Sequence, residues 1–199
     1  MPFAHLPRAF CLSLFLVSAI VLSGCMVETE TALTDRADAQ VDMRLLGAWR
    51  LPLEQDENGL LLIRQADDGG MDVLTLEIRN RGDDEPASVQ WETATVWPTK
   101  VGKVELLNVQ MDKGKMIVGY RVDADGSFSF GFMKTEPVIA AIEAGKLKGT
   151  VSKGMGTRGA KLQDTPERII AFIRGNGGYD LFQFDKKKGG VRLERYKPK

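Results

Sequence analysis

The chain has 199 residues, with 27 basic and 27 acidic side chains and so no formal net charge. That length suits one ordinary domain behind a leader segment, and the neutral balance argues against nucleic acid as a partner. One histidine and two cysteines leave little material for metal or imidazole chemistry.

In chain order, residues 1–8 carry Arg8 and no acid, and Phe10 to Leu22 (FCLSLFLVSAIVL) runs without a charge. At about 1.5 Å per helical residue this run reaches roughly 20 Å, short of the ~30 Å bilayer hydrocarbon. A basic start, a short apolar core and small residues at its end make a secretory signal. The run closes on Leu22-Ser23-Gly24-Cys25, which resembles the lipobox of bacterial lipoproteins. The resemblance implies that the Cys25 thiol is diacylglycerylated, that residues 1–24 are removed, and that the new amine receives a further palmitate-like chain. Two or three acyl chains hold a protein stably on a membrane where one does not. Met26 in place of Asp after the cysteine implies, in a Gram-negative envelope, delivery to the outer membrane on its periplasmic leaflet.

Removal of residues 1–24 takes His5 and Cys11 with it. A mature chain with no histidine and one lipid-bearing cysteine has no intramolecular disulfide, no His/Cys zinc site and no His-based acid–base machinery. No catalytic residue, metal ligand or cofactor is therefore expected.

Residues 25–43, from Cys25 through MVETETALTDRADAQVDM, are acid-leaning without a sustained apolar period, and read as a flexible tether. Residues 44–199 read as one mainly β (α+β) domain. Strands are expected at Leu45–Arg50, Leu60–Gln65, Val73–Arg79, Ser88–Trp97, Lys103–Met111, Met116–Asp123, Ser127–Met133, Tyr179–Asp185 and Val191–Tyr196. They are separated by ADDGG, RGDDEP, DKGK, DADG and KKKGG turns. Phe128, Phe130 and Phe132 share a face. About eight strands suit a single antiparallel barrel or sandwich. Two short helices interrupt it. One starts at Thr135-Glu136-Pro137 and ends at Gly145, the other starts at Asp164-Thr165-Pro166 and ends at Gly175. The stretches VIAAIEAGKLKG, TPERIIAFIRGNGG and LFQF resemble the C-terminal half of some exported bacterial proteins over residues 136–196. That implies kinship and no particular activity.

Gly47-Ala48-Trp49 opens the first domain strand and is similar to the start of lipocalins and fatty-acid-binding barrels. In those barrels the Trp closes the floor under a Gly that permits close approach, which implies either a ligand-holding cup here or a simple core plug. Trp91 and Trp97 are six residues apart and so face one side of their strand. With Trp49 they are the candidate lining of an apolar ligand site, the alternatives being ordinary core or partner-facing positions.

Gly154-Met155-Gly156-Thr157-Arg158-Gly159 spells a dinucleotide-like pattern without its strand, helix and following acid, and reads as a loop or bulged strand. Asp123-Ala124-Asp125-Gly126 lacks the remaining ligands of a calcium loop and reads as a hairpin turn. Arg81-Gly82-Asp83 reads as a solvated turn. Between Cys25 and Pro98 there are 16 acids and 6 bases, and between Thr99 and Lys199 there are 11 and 20. Two separate faces would let the basic one, with Lys186–Lys188, meet lipid phosphates or an acidic partner. Interleaving in one barrel, the favoured reading, would let the charges pair.

Together these features describe a lipid-anchored, non-catalytic envelope protein that binds a partner protein or an apolar ligand. The alternative in another class is a histidine-independent envelope hydrolase built on two carboxylates.

Overall fold

The computed structural model describes residues 26–52, 57–67, 69–79, 88–112, 114–154, 157–185 and 190–198. A first short strand, β1 (Val27–Thr29), precedes seven consecutive strands: β2 (Gly47–Leu51), β3 (Glu57–Gln65), β4 (Met71–Arg79), β5 (Ser88–Val101), β6 (Val104–Met111), β7 (Gly114–Val122) and β8 (Phe128–Met133). Then come helix α1 (Thr135–Glu143), the hairpin of β9 (Gly149–Gly154) and β10 (Thr157–Leu162), helix α2 (Pro166–Gly175) and the two-residue β11 (Phe182–Gln183). The last strand, β12 (Val191–Arg195), pairs antiparallel with β8 on one side and β2 on the other. With the β7–β8 pairing this closes an eight-stranded antiparallel barrel, β2 to β8 and then β12, in which each strand of the ring pairs with two neighbours. The expected barrel with two short helices is the architecture found.

Alternation decides what goes inside. Ile63, Met71, Val96, Leu107, Val118 and Phe128 point inward with Trp49 and Leu193. Phe128, Phe130 and Phe132 share the inner face and stack at centroid distances of 6.3 and 5.8 Å. A second core lies outside the barrel wall. Val101, Val104, Leu106 and Ile117, the outward residues of β5 to β7, pack against α1, α2 and the inner face of β9–β10. Both helices are too short to persist alone; Val138, Ile139, Ile169 and Ile173 fix them on this face.

Two expectations change. Residues 26–43 are not a free tether. β1 lies between β7, antiparallel with Glu28 opposite Met116, and β10, parallel with Val27 opposite Ala160. Val27 and Thr29 are buried, as is Leu33 further along. The Val27-x-Thr29 spacing is a two-residue strand period, too short to stand out among four neighbouring acids and threonines. The segment 179–185 is not one strand: Gly177 and Gly178 have φ of 81° and 60°, which curls Gly178–Leu181 into a 3-10 turn before β11. The glycine-rich pattern at 154–159 joins β9 to β10, with Gly154 opposite Thr157. Its residues 155–156 lie outside the described residues, as do Arg81-Gly82-Asp83 and Lys186–Lys188.

Candidate functional site

Trp49 lies in the inner core of the barrel. Its side chain is fully buried and its Nε1–H donates to the Leu45 carbonyl at 2.8 Å. Phe128 meets it edge-on at 4.6 Å. On the other face lies the Arg195 guanidinium, 4.5 Å from the ring centroid, whose Nη1 and Nη2 donate to the Leu46 and Arg44 carbonyls at 2.9 Å each. Gly47 has φ 120°, and a Cβ there would stand 2.9 Å from Arg195 Nη1. Gly47 thus admits the arginine beside Trp49. Arg195 is separated from Trp49 by most of the domain, so no local pattern announces it; only the Arg195–Trp49 strand pairing brings them together. This packing buries Trp49 within the inner core of the barrel.

Trp97 and Trp91 do share a side of β5, and that side is the outside of the barrel. The register with β4 is unbroken from Ser88 to Val96 and with β6 from Thr95 to Val101. Trp97 is covered by the N-terminal segment, with its Nε1–H donating to the Thr34 carbonyl at 2.9 Å. That segment is tied down by buried polar groups. Asn108 Oδ1 accepts from Leu33 N–H at 2.7 Å while its Nδ2 donates to Thr99 Oγ1 at 2.7 Å, and the Thr34 and Thr99 hydroxyls bond at 2.6 Å. Trp91, three repeats of the pleat further out, is 67% exposed. The three tryptophans therefore do not converge on one cavity.

Trp91 belongs to an outward apolar face instead. Across β3, β4 and β5 the rungs Leu62–Leu74–Thr93 and Leu60–Leu76–Trp91 lie side by side, followed by Ile78 opposite Val89. Val89 is 59% exposed and Ile78 39%. An open groove of about 1040 Å³ adjoins these rungs, with Leu62, Leu74, Thr93, Thr95 and Gln110 in its lining. Among the described residues no strand pairs with Ser88–Ala94 on the β6 side. Among the described residues, Ile78, Val89 and Trp91 thus form a row of exposed large apolar side chains.

Charged groups are engaged in holding the fold. Asp42 accepts from Arg44 and from the Tyr120 hydroxyl at 2.9 Å, and Arg44 also reaches Glu105 at 2.8 Å. Burial opposes ionisation of Asp42, yet these donors outweigh it and hold its pKa below the usual carboxylate value. Tyr120 is pushed well above the ordinary phenol value by burial and by its bond to Asp42. Asp164 is buried, which would raise its pKa, but the Lys148 and Thr165 amides and Arg168 lower it overall. Asp123 and Asp125 bind Ser127 and Arg192, as a hairpin turn should. Glu77 (5% exposed) and Glu92 sit one rung apart on the inward side of β4 and β5. Among the described residues no group of three or more His, Cys, Asp or Glu is placed to hold a metal, and no helix is long and apolar enough to cross a membrane. Cys25 lies outside the described residues.

The site is thus defined by a closed barrel with a covered flank and a bare apolar flank. No family model, curated protein or solved structure matches the chain.

Proposed function

We propose that the protein is a lipid-anchored, non-catalytic adaptor of the bacterial envelope, held at Cys25 and docking a partner protein on the outward face of β3–β5. The observation that carries the docking reading is the exposed row Ile78, Val89 and Trp91 beside a groove. An apolar ligand inside the barrel is the weaker form of the proposal, because Trp49, Met71, Phe128 and Leu193 fill its core. Burying an aromatic of tryptophan's size removes about 150–250 Å² from water, enough to anchor an interface of modest area.

The test has two arms. Fatty-acid-analogue labelling of cells should mark the wild type and spare Cys25→Ala; equal labelling of both ends the anchor reading. A photo-crosslinking amino acid at Val89 should give a discrete adduct in cells, lost when Trp91→Ser is added, while the same group at Ser129 on the far wall gives none. Equal adducts from both positions would refute the docking face.

A further inference from the structure

The β3–β5 part of the ring carries an open sheet edge as well as a bare face. β5 is paired with β4 from Ser88 onward, while its pairing with β6 begins only at Thr95. Continued by two residues, the β5–β6 register sets Ala94 and Thr93 beside Met111 and Asp112, where the chain turns into β7. Among the described residues, Ser88–Glu92 therefore have no strand on that side. Exposure agrees with this. A strand over a packed core exposes every second residue, whereas Val89, Gln90, Trp91, Glu92 and Thr93 are all exposed, so both faces of β5 meet solvent here.

Unpaired backbone N–H and C=O groups in a row are a template for another strand, and edges that must stay free carry Lys, Pro, Gly or a bulge. At β9, which ends the sheet, exposed Lys153 and the flanking Gly149 and Gly154 serve that purpose. The run Ser88–Ala94 (SVQWETA) has no Lys, Arg, Pro or Gly, and its Val, Trp and Thr favour strand. The β5 edge is unguarded.

We infer that the protein forms a twofold dimer by antiparallel pairing of Ser88–Glu92 with the same residues of a second copy. This rests on the docking reading of the β3–β5 face and names the partner there as the chain itself. Gln90 is the middle of the free run, so a twofold axis at Gln90 engages all five residues. The register is self-complementary at each position. Gln90 meets Gln90 of the second copy, and each amide has both donors and an acceptor to offer. Glu92 meets Ser88 of the second copy, so like charges do not stand opposite each other. On the outward side Trp91 meets Val89 of the second copy, twice, and aromatic–β-branched pairs stabilise a sheet. The rung Leu60–Leu76–Trp91 then runs on into Val89 and Ile78 of the second copy, and symmetry lays an equal rung beside it. The two exposed rows become one apolar face across six strands. Two Trp91 rings at about 150–250 Å² each, with Val89, Gln90, Glu92 and the edge backbone of both copies, approach the ~1,000 Å² that a specific interface must clear. The dimer therefore belongs to the weak, reversible size class.

The experiment uses the full chain purified from cells, in density-matched detergent. Sedimentation equilibrium should show monomer and dimer exchanging with protein concentration. Gln90→Glu sets two carboxylates against each other beside both Glu92 side chains, and should raise the dimer Kd at least several-fold while circular dichroism and Tm stay those of the parent; Gln90→Asn keeps the amide and should stay near the parent. Opposed residues have Cβ atoms about 4.5–5.5 Å apart, close to disulfide reach, so differently tagged Val89→Cys and Trp91→Cys chains, mixed under mild oxidation, should give a mixed disulfide in several-fold excess over either variant alone. A monomer at every concentration, or a dimer indifferent to Gln90→Glu, overturns the edge pairing. Equal crosslinking of mixed and single variants overturns the register. A photo-adduct from Val89 with a mass other than twice that of the chain overturns the second copy as partner and leaves the docking reading standing, whereas the absence of any adduct refutes the docking reading itself.

Discussion

Arg195 offers the sharpest test of how Trp49 is held in the barrel core. Replacing it with Ala removes a guanidinium stacked 4.5 Å from the Trp49 ring and two donors to the Leu46 and Arg44 carbonyls. A cation–π contact near the surface contributes about 0.5–1 kcal/mol, and each hydrogen bond about 0.5–1.5 kcal/mol net. The side chain is exposed, so water recovers part of this, and the expected loss is about 1.5–3 kcal/mol. For a domain of this size 1 kcal/mol moves Tm by roughly 2–4 °C, so Arg195→Ala should melt about 3–12 °C lower in a calorimetric scan. Arg195→Lys keeps the charge but not the planar fork and should recover less than half. Trp49→Phe removes the Nε1–H bond to Leu45 and the larger ring, and a double-mutant cycle with Arg195→Ala should show coupling, because the two side chains touch. A Tm shift below about 1 °C for Arg195→Ala, or strict additivity with Trp49→Phe, would refute this packing argument.

Other changes separate as follows. Gly47→Ala forces a side chain onto φ 120° with its Cβ 2.9 Å from Arg195 Nη1, and should cost about 1–3 kcal/mol, read as a lower Tm. Deleting residues 26–31 removes Val27 and Thr29 from the outer core and strips a partner from both β7 and β10; a fall of about 3–5 kcal/mol in chemical denaturation is expected, whereas a tether would leave stability unchanged. Asp164 has a folded pKa below its unfolded value of ~3.9. Its stabilisation is complete above that value and lost as pH falls through the folded one, so Asp164→Asn should lower Tm at pH 7 and flatten the Tm–pH profile below about pH 4. Trp91→Ser, on a side chain 67% exposed, should change Tm by less than about 2 °C while removing the crosslink from Val89.

Strand periodicity made much of the barrel legible. The runs from Leu60 to Met133 alternate cleanly between short turns, and each appears as a strand of the ring with ends moved by a few residues. The late hairpin β9–β10 did not declare itself, since Gly149, Gly154, Gly156 and Gly159 weaken the strand signal in just that stretch. Helix ends were legible from chemistry: Gly145, with φ 67°, follows α1 as read, and α2 ends at Gly175 as read, two residues before a left-handed Gly177 at φ 81°. Long-range contacts carried no local mark, which is why Arg195 beside Trp49 and Asn108 beneath Leu33 were invisible until the chain was folded.

The tryptophans mark the limit of such reading. A spacing of six places Trp91 and Trp97 on one side of a strand, and the unbroken β4–β5 and β5–β6 registers keep them there. Periodicity assigns a side but cannot tell the inside of a closed barrel from the outside when both carry apolar residues. Here the outer wall of β5 to β7 also buries apolar residues, Val101, Val104, Leu106 and Ile117, because helices and the N-terminal segment cover it. Where that cover stops, the same outward row continues from Trp97 to Trp91 into solvent. The exposed row is therefore defined by the end of the cover, at the Thr34–Thr99 and Leu33–Asn108 bonds. If so, weakening the cover should extend the apolar surface. Asn108→Ala leaves Leu33 N–H and Thr99 Oγ1 without their buried partner, at about 1–3 kcal/mol, and should increase binding of an apolar dye at a pH and temperature where the barrel itself stays folded by circular dichroism. An unchanged dye signal with an intact barrel would mean that the segment stays seated without Asn108, and that the edge of the exposed face is set by something other than these bonds.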